Sequence, residues 1–162
     1  MKKILLSALL VLPFATLSTA SADDVTCRGT IGARSIDGTV VVPSGATCTL
    51  SGTRVDGDVK VERGGTLITQ SARIGGNVQS EGFRSVTVSG GSVGGSIQLK
   101  EGGPISVRSV RVNGDIQLEK NRTSARVYSN VVGGNLQCQG NVNIAGGGNR
   151  VDGNKEDQCR SF

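Results

Sequence analysis

The 162-residue sequence contains no histidine and no tryptophan, and its aromatic residues amount to one tyrosine and three phenylalanines. So few rings leave little to stack against bases or sugars, which argues against a nucleic-acid binder or an aromatic sugar platform. The absence of histidine, with no closely spaced cysteine pair among the four cysteines, excludes the usual metal-ligand spacings. No metal and no cofactor is expected. Apolar residues never recur at three- and four-residue spacing over two turns, so amphipathic helices are excluded. Long hydrophobic runs are also scarce. The single one, Ile4 to Leu17, is about 14 residues, too short for a ~30 Å hydrocarbon core, so no transmembrane anchor is expected.

That run has a different reading. Lys2 and Lys3 precede it and Ala20-Ser21-Ala22 follows it, the pattern of a cleavable signal peptide. The expected division is a signal peptide over 1–22 and a single domain over 23–162. Losing Lys2 and Lys3 takes the basic count from 18 to 16 against 13 acids, a net charge of +3. This is too mild for a nucleic-acid partner and compatible with an anionic polymer outside the cell.

What the chain has in abundance is glycine, 25 residues, placed with a period. The pattern aliphatic, any, Gly, small polar, aliphatic opens at Ile36, Val55, Ile74, Val93, Val112, Val132 and Val151. Its glycines are Gly38, Gly57, Gly76, Gly95, Gly114, Gly134 and Gly153, spaced by 19 residues except for 20 between Gly114 and Gly134. Such a period marks a repeat fold. Within each repeat, Val59 and Val61 recur as Ile97 and Leu99, Ile116 and Leu118, and Leu136 and Cys138. Alternation of this kind is a strand with one buried face. A second inward set runs through Leu67, Val86 with Val88, Ile105 with Val107, and Ile144. The first motif residue of each repeat supplies a third.

Three inward patches per repeat predict a three-sided, all-β, single-stranded parallel β-helix of about seven 19-residue coils. A 19-residue period favours the right-handed form over the left-handed one, whose hexapeptides make 18-residue coils. The motif glycines, with Gly64-Gly65 and Gly102-Gly103, are expected at corners with positive φ. The extra residue before Gly134 predicts a bulge around Asn121 to Tyr128, where Ser124 and Arg126 interrupt the inward pattern.

Behind a signal peptide, four cysteines point to disulfides. Cys27 and Cys48 are 21 residues apart, as are Cys138 and Cys159, one pair near each end of the repeat. The spacing favours these pairings and requires each end to leave register by two residues. Closing a loop of that size adds ~3 kcal/mol by the chain-entropy estimate.

The outward columns carry the functional candidates. Arg54, Arg73, Arg111 and Arg150 precede successive motifs, with Ser92 interrupting, and form a candidate stripe for an anionic ligand. Lys60, Gln79, Gln98, Gln117 and Gln137 form an amide column able to hydrogen-bond along the axis. Asp58, Asn77, Ser96, Asp115 and Asn135 read as side chains that satisfy backbone donors beside glycine. An ice-binding array needs an unbroken threonine column, whereas Thr47, Thr66, Ser85, Pro104, Thr123 and Asn143 is broken. A lyase or hydrolase needs clustered acids and a base at one special place. Asp58 and Asp115 in one column, and Glu62, Glu81 and Glu119 in another, repeat instead of clustering.

With its V-x-G-[DN]-V coils and the tail Gly153-Asn154-Lys155-Glu156-Asp157-Gln158-Cys159, the chain resembles small secreted bacterial right-handed parallel β-helix proteins. It is also similar in coil design to bactofilin-type polymer-forming solenoids. The resemblance implies a pectin-lyase-like architecture without recognisable catalytic residues, and export from the cytoplasm. The expected role is a non-enzymatic structural or interaction protein at or outside the cell surface. The alternative is a carbohydrate-active β-helix that binds or cleaves an acidic polysaccharide.

Overall fold

The computed structural model describes residues 24–162; the expected signal peptide, 1–22, lies outside the described residues. Short strands rich in valine and isoleucine alternate inward and outward side chains, so each coil gains three narrow apolar edges. No edge has anything to pack on within its own coil, and burial therefore requires stacking. The result is a parallel β-solenoid of about seven coils with three sheets and, among the described residues, no helix.

Sheet I has eight strands, among them Val59–Val61, Val78–Glu81, Ile97–Lys100, Ile116–Glu119 and Leu136–Gln139. Sheet II has seven, including Thr47–Ser51, Thr66–Gln70, Ser85–Ser89, Ile105–Arg108, Ser124–Tyr128 and Asn143–Gly147. Sheet III is built from seven two-residue strands, Ser35–Ile36 through Arg150–Val151. Every pairing is parallel and joins a strand to its equivalent one coil on: Val59 to Val78 to Ile97 to Ile116 to Leu136 in sheet I. In sheet III, Val55, Ile74, Val93, Val112, Val132 and Val151 stand in one file. The expected core columns are inside, and Val59, Leu67, Ile97, Leu99, Ile116 and Leu136 have no exposed surface. Ile144, expected inward, is only partly buried, because the last coil has fewer neighbours above it.

The extra residue lies at the start of the expected window and not along the strand that follows. Leu99 pairs with Leu118, whereas Ile105 pairs with Ala125, so the extra residue sits in the turn between Glu119 and Ala125. The strand that follows is regular. Ala125 and Val127 are the buried pair, and Ser124 and Arg126 simply point outward.

The motif glycines need a different explanation from the one expected. Of the glycines expected at corners with positive φ, Gly64 has it (76°) and Gly65, Gly102, Gly103 and the motif glycines do not. Positive φ recurs instead at the residue after six of the sheet II strands, Gly52, Ser71, Gly90, Ser109, Ser129 and Gly148, with φ between 53° and 67°. At the motif positions φ is unremarkable, and the constraint is space. A Cβ on Gly95 would collide with Asn77 Oδ1 and come within 3.0 Å of the Gly76 carbonyl oxygen. Equivalent collisions with Asp58, Ser96, Asp115 and Asn135 side chains occur at Gly76, Gly114, Gly134 and Gly153. The motif glycines from Gly76 to Gly153 thus leave room for a polar side chain of the preceding coil, whereas a Cβ on Gly57 would meet the Gly38 backbone.

Both expected disulfides are present, with Cα separations of 5.4 Å for Cys27–Cys48 and 5.3 Å for Cys138–Cys159. The ladder partner of Cys48 is Gly29 and that of Cys138 is Asp157, so each bonded cysteine is two residues out of register. At the N-terminal end Val25 pairs with Val40, which shortens the first turn and brings Cys27 over Cys48. At the other end a turn over residues 158–161 folds the tail back, and Phe162 packs beside Gly146.

Gly95→Ala is expected to destabilise the protein by about 1–3 kcal/mol through overpacking against the coil below. Ser71→Gly, which relieves a left-handed residue, is expected to cause no loss. Urea unfolding of both variants decides between steric and conformational roles for the two glycine classes.

Candidate functional site

The four arginines expected to share an edge do so on the outer side of sheet III. The ladder runs Ser35, Arg54, Arg73, Ser92, Arg111, Val131 and Arg150. The stripe is therefore broken by Val131 as well as by Ser92. Its ends carry their own counter-ions: Arg54 Nε donates to Asp56 Oδ1 at 2.8 Å, and Arg150 Nε stands 3.9 Å from Asp152 Oδ1. Arg73 and Arg111 form no ion pair among the described residues. With Ser92, Gly94 and Asn113 they border a shallow depression that also includes Arg54 and Asp56.

The polar column after the motif glycines is a continuous axial chain. Asp58 Oδ1 accepts from the Asn77 amide at 2.7 Å, and Asn77 Oδ1 accepts from that of Ser96 at 2.8 Å. Ser96 Oγ accepts from Asp115 N, Asp115 Oδ1 from Asn135 N, and Asn135 Oδ1 from Asn154 N. Asp58 and Asp115 are thus backbone acceptors, as the sequence reading expected. In the amide column Gln79 Nε2 donates to Gln98, Gln117 to Gln137 and Gln137 to Glu156, at 2.9–3.1 Å.

The glutamates are committed along the axis too. Glu62 Oε2 accepts from the Ser44 amide and Glu81 pairs with Arg63. In sheet I, Glu81, Lys100, Glu119 and Gln139 form one file of alternating charge. Lys100 Nζ lies 2.9 Å from Glu119 Oε2, and Lys120 Nζ lies 3.2 Å from Oε1. The hydrogen bond from Lys100 first, then that from Lys120, holds the Glu119 carboxyl below its ordinary range.

Two asparagine ladders escaped the sequence reading. Asn130 Nδ2 donates to the Val107 carbonyl and to Asn149 Oδ1, while its own Oδ1 accepts from Val110 N. Asn121 does the same between the Leu99 carbonyl, Asn141 and Gly102 N. All four asparagines are buried. Their spacings of 20 and 19 residues were the available signal.

Sheet II presents a third outer surface. The extra residue places Ser124, not Thr123, in the column with Asn143, which corrects the expected threonine file. Beside it runs Thr30, Thr49, Ile68, Thr87, Ser106, Arg126 and Ala145. A further file ends in Arg108, Tyr128 and Gly147. Arg108, Arg126 and Tyr128, which the sequence columns do not group, are thereby brought together on one exposed patch.

No protein-family model, no curated protein and no solved structure matches the chain. Two disulfides point to an oxidising, extracytoplasmic environment, and no helix among the described residues is long and apolar enough to cross a membrane.

Asn130→Ala is expected to cost about 2–4 kcal/mol, because the Val107 carbonyl and the Val110 amide both lose their buried partner. Gln137→Ala, on the outer surface, is expected to stay within about 0.5 kcal/mol of the parent. Chemical denaturation of the two variants provides the comparison.

Proposed function

We propose that this protein is a non-enzymatic structural or interaction protein, exported to the cell surface or beyond, whose rigid rod presents repeated surface columns to an anionic polymer. The observation that carries the reading is the axial commitment of its polar side chains. The groups a hydrolase or lyase would draw on, Asp58, Asp115, Glu62, Glu81 and Glu119, each bond to the neighbouring coil or to a cation. Such groups add stiffness to the stack and are not aimed at a shared point where a substrate bond would be broken. The exported location is supported by the paired cysteines and by the signal-peptide pattern. A partner of negative charge is supported by the excess of 16 basic over 13 acidic residues left without Lys2 and Lys3, and by Arg73 and Arg111, which form no ion pair among the described residues.

Incubating the protein with a panel of anionic and neutral polymers, and reading both retention and chain length, tests this function. Retention of anionic polymers that falls with added salt, at unchanged chain length, is the expected result. Shortened polymer would contradict the non-enzymatic reading, and no retention of any anionic polymer would remove the partner.

A further inference from the structure

The three outer faces differ in the sign of their charge. Sheet I mixes signs, with Lys100, Glu119, Glu156 and Asp157 around one groove. Sheet III carries arginines in its strands, with Asp56 and Asp152 in the turns beyond two of them offsetting Arg54 and Arg150. Sheet II lacks such partners: its seven strands contain no aspartate, glutamate or lysine, and its charged residues, Arg108 and Arg126, form no ion pair among the described residues. A ligand crossing this face meets positive charge alone.

The two arginines occupy adjacent rungs and alternate positions along the strands, since Ser106 pairs with Arg126 and Arg108 with Tyr128. With a rung spacing of ~4.8 Å and a rise of ~3.3 Å per residue, their Cα atoms lie about 8 Å apart on the diagonal. Arg108 is fixed in place, its Nε and Nη2 donating to Ser106 Oγ at 3.1 and 2.9 Å. Neither guanidinium has a carboxylate partner among the described residues. Tyr128 stands beside Arg108 with 42% of its surface exposed, unusual in a chain whose other described aromatics are packed. On the next rung the side chains shrink to Ala145 and Gly147. That step opens a depression lined by Arg108, Ser109, Arg126, Tyr128, Ser129 and Ala145. Toward the other end the outward residues are hydroxyls: Thr87, Ser89 and Ser106.

We propose that the outer face of sheet II binds an acidic polysaccharide, with Arg108 and Arg126 holding carboxylates and Tyr128 packing against a sugar ring. The chemistry selects this partner. Planar guanidinium groups take carboxylates in bidentate fashion. The flanking hydroxyl file complements a hydroxyl-rich chain, and a phenol offers an apolar face with a polar tip. A lipid surface fits poorly, because two arginines add only ~1 kcal/mol each toward an anionic membrane. The inference rests on the proposed interaction role and names where that role is exercised.

The test is calorimetric titration of the protein with mannuronate oligosaccharides at low ionic strength. Neutral gluco-oligosaccharides, a single-stranded oligonucleotide and anionic phospholipid vesicles serve as comparators. Arg108→Ser with Arg126→Ser is expected to weaken uronate binding about 100-fold, roughly tenfold for each charged contact. Tyr128→Ser is expected to weaken it several-fold, and Lys60→Ser on sheet I to leave it within about twofold, all with unchanged denaturation midpoints. The site is overturned if the parent protein does not bind uronate, if the Lys60 variant loses as much affinity, or if oligonucleotide or vesicles bind as tightly. Binding accompanied by shortening of the oligosaccharide would support the site and contradict the non-enzymatic role. Intact oligosaccharide without binding would remove the site and leave that role standing.

Discussion

The structure depends on one contact repeated along its axis. From Asp58 to Asn135, a short polar side chain after the motif glycine accepts the backbone N–H of its counterpart one coil on, as Asp58 does from Asn77 and Asn77 from Ser96. That side chain occupies the space where a Cβ on the next motif glycine would stand. Glycine and polar residue therefore form a unit, and neither works without the other. The unit recurs in each coil, which keeps the register at 19 residues and places Val55, Ile74, Val93, Val112, Val132 and Val151 over one another. Apolar burial supplies most of the stabilisation, at ~25 cal/mol per Å². It excludes a one-residue slip, which would turn the inward side chains outward; the polar chain fixes the same register at the turns.

The same contact limits what the molecule can do. Side chains tied to the coil above or below are poorly placed to meet at a common substrate atom. What remains for recognition is the outward residues that have no axial partner, and the charged ones include Arg73, Arg108, Arg111 and Arg126. On sheet III part of that charge is offset within the chain, at Arg54 by Asp56 and at Arg150 by Asp152. On sheet II it is not offset, and the faces of one rod thereby acquire different chemical characters. The disulfides act at a different level. They bind the first and last coils to their neighbours where the ladder runs out and strand edges stand exposed.

Much of the fold was legible because a repeat states each structural requirement several times over. Columns such as Val59, Ile97, Ile116 and Leu136 identify inward positions without any knowledge of the coil's shape, and cysteine spacing against the period indicates which pairs can meet. The reading failed where a requirement occurs only once or twice. The turn between Glu119 and Ala125 holds its extra residue in the loop, and the strand behind it regains phase, which no neighbouring repeat announces. Asn121 with Asn141, and Asn130 with Asn149, are two-member ladders too short to stand out as columns. The motif glycines were recognised, but their cause was misassigned, because steric exclusion by the coil below is a property of stacking. The patch of Arg108, Arg126 and Tyr128 was invisible for the same reason: it exists only once strands are laid side by side with the correct one-residue shift.

The central claim is that axial hydrogen bonding, through polar side chains as well as backbone, holds the coils in register. Residue-resolved hydrogen exchange by NMR addresses it most directly, followed for backbone amides and for the side-chain NH₂ groups of Asn121, Asn130, Asn141 and Asn149. The account predicts slow exchange through the central coils on all three sheets, with the asparagine NH₂ protons and the amides of Asn77, Ser96, Asp115 and Asn135 protected alongside the strands. Protection confined to the apolar strand amides, with the asparagine NH₂ groups and motif-turn amides exchanging at solvent rates, would contradict it.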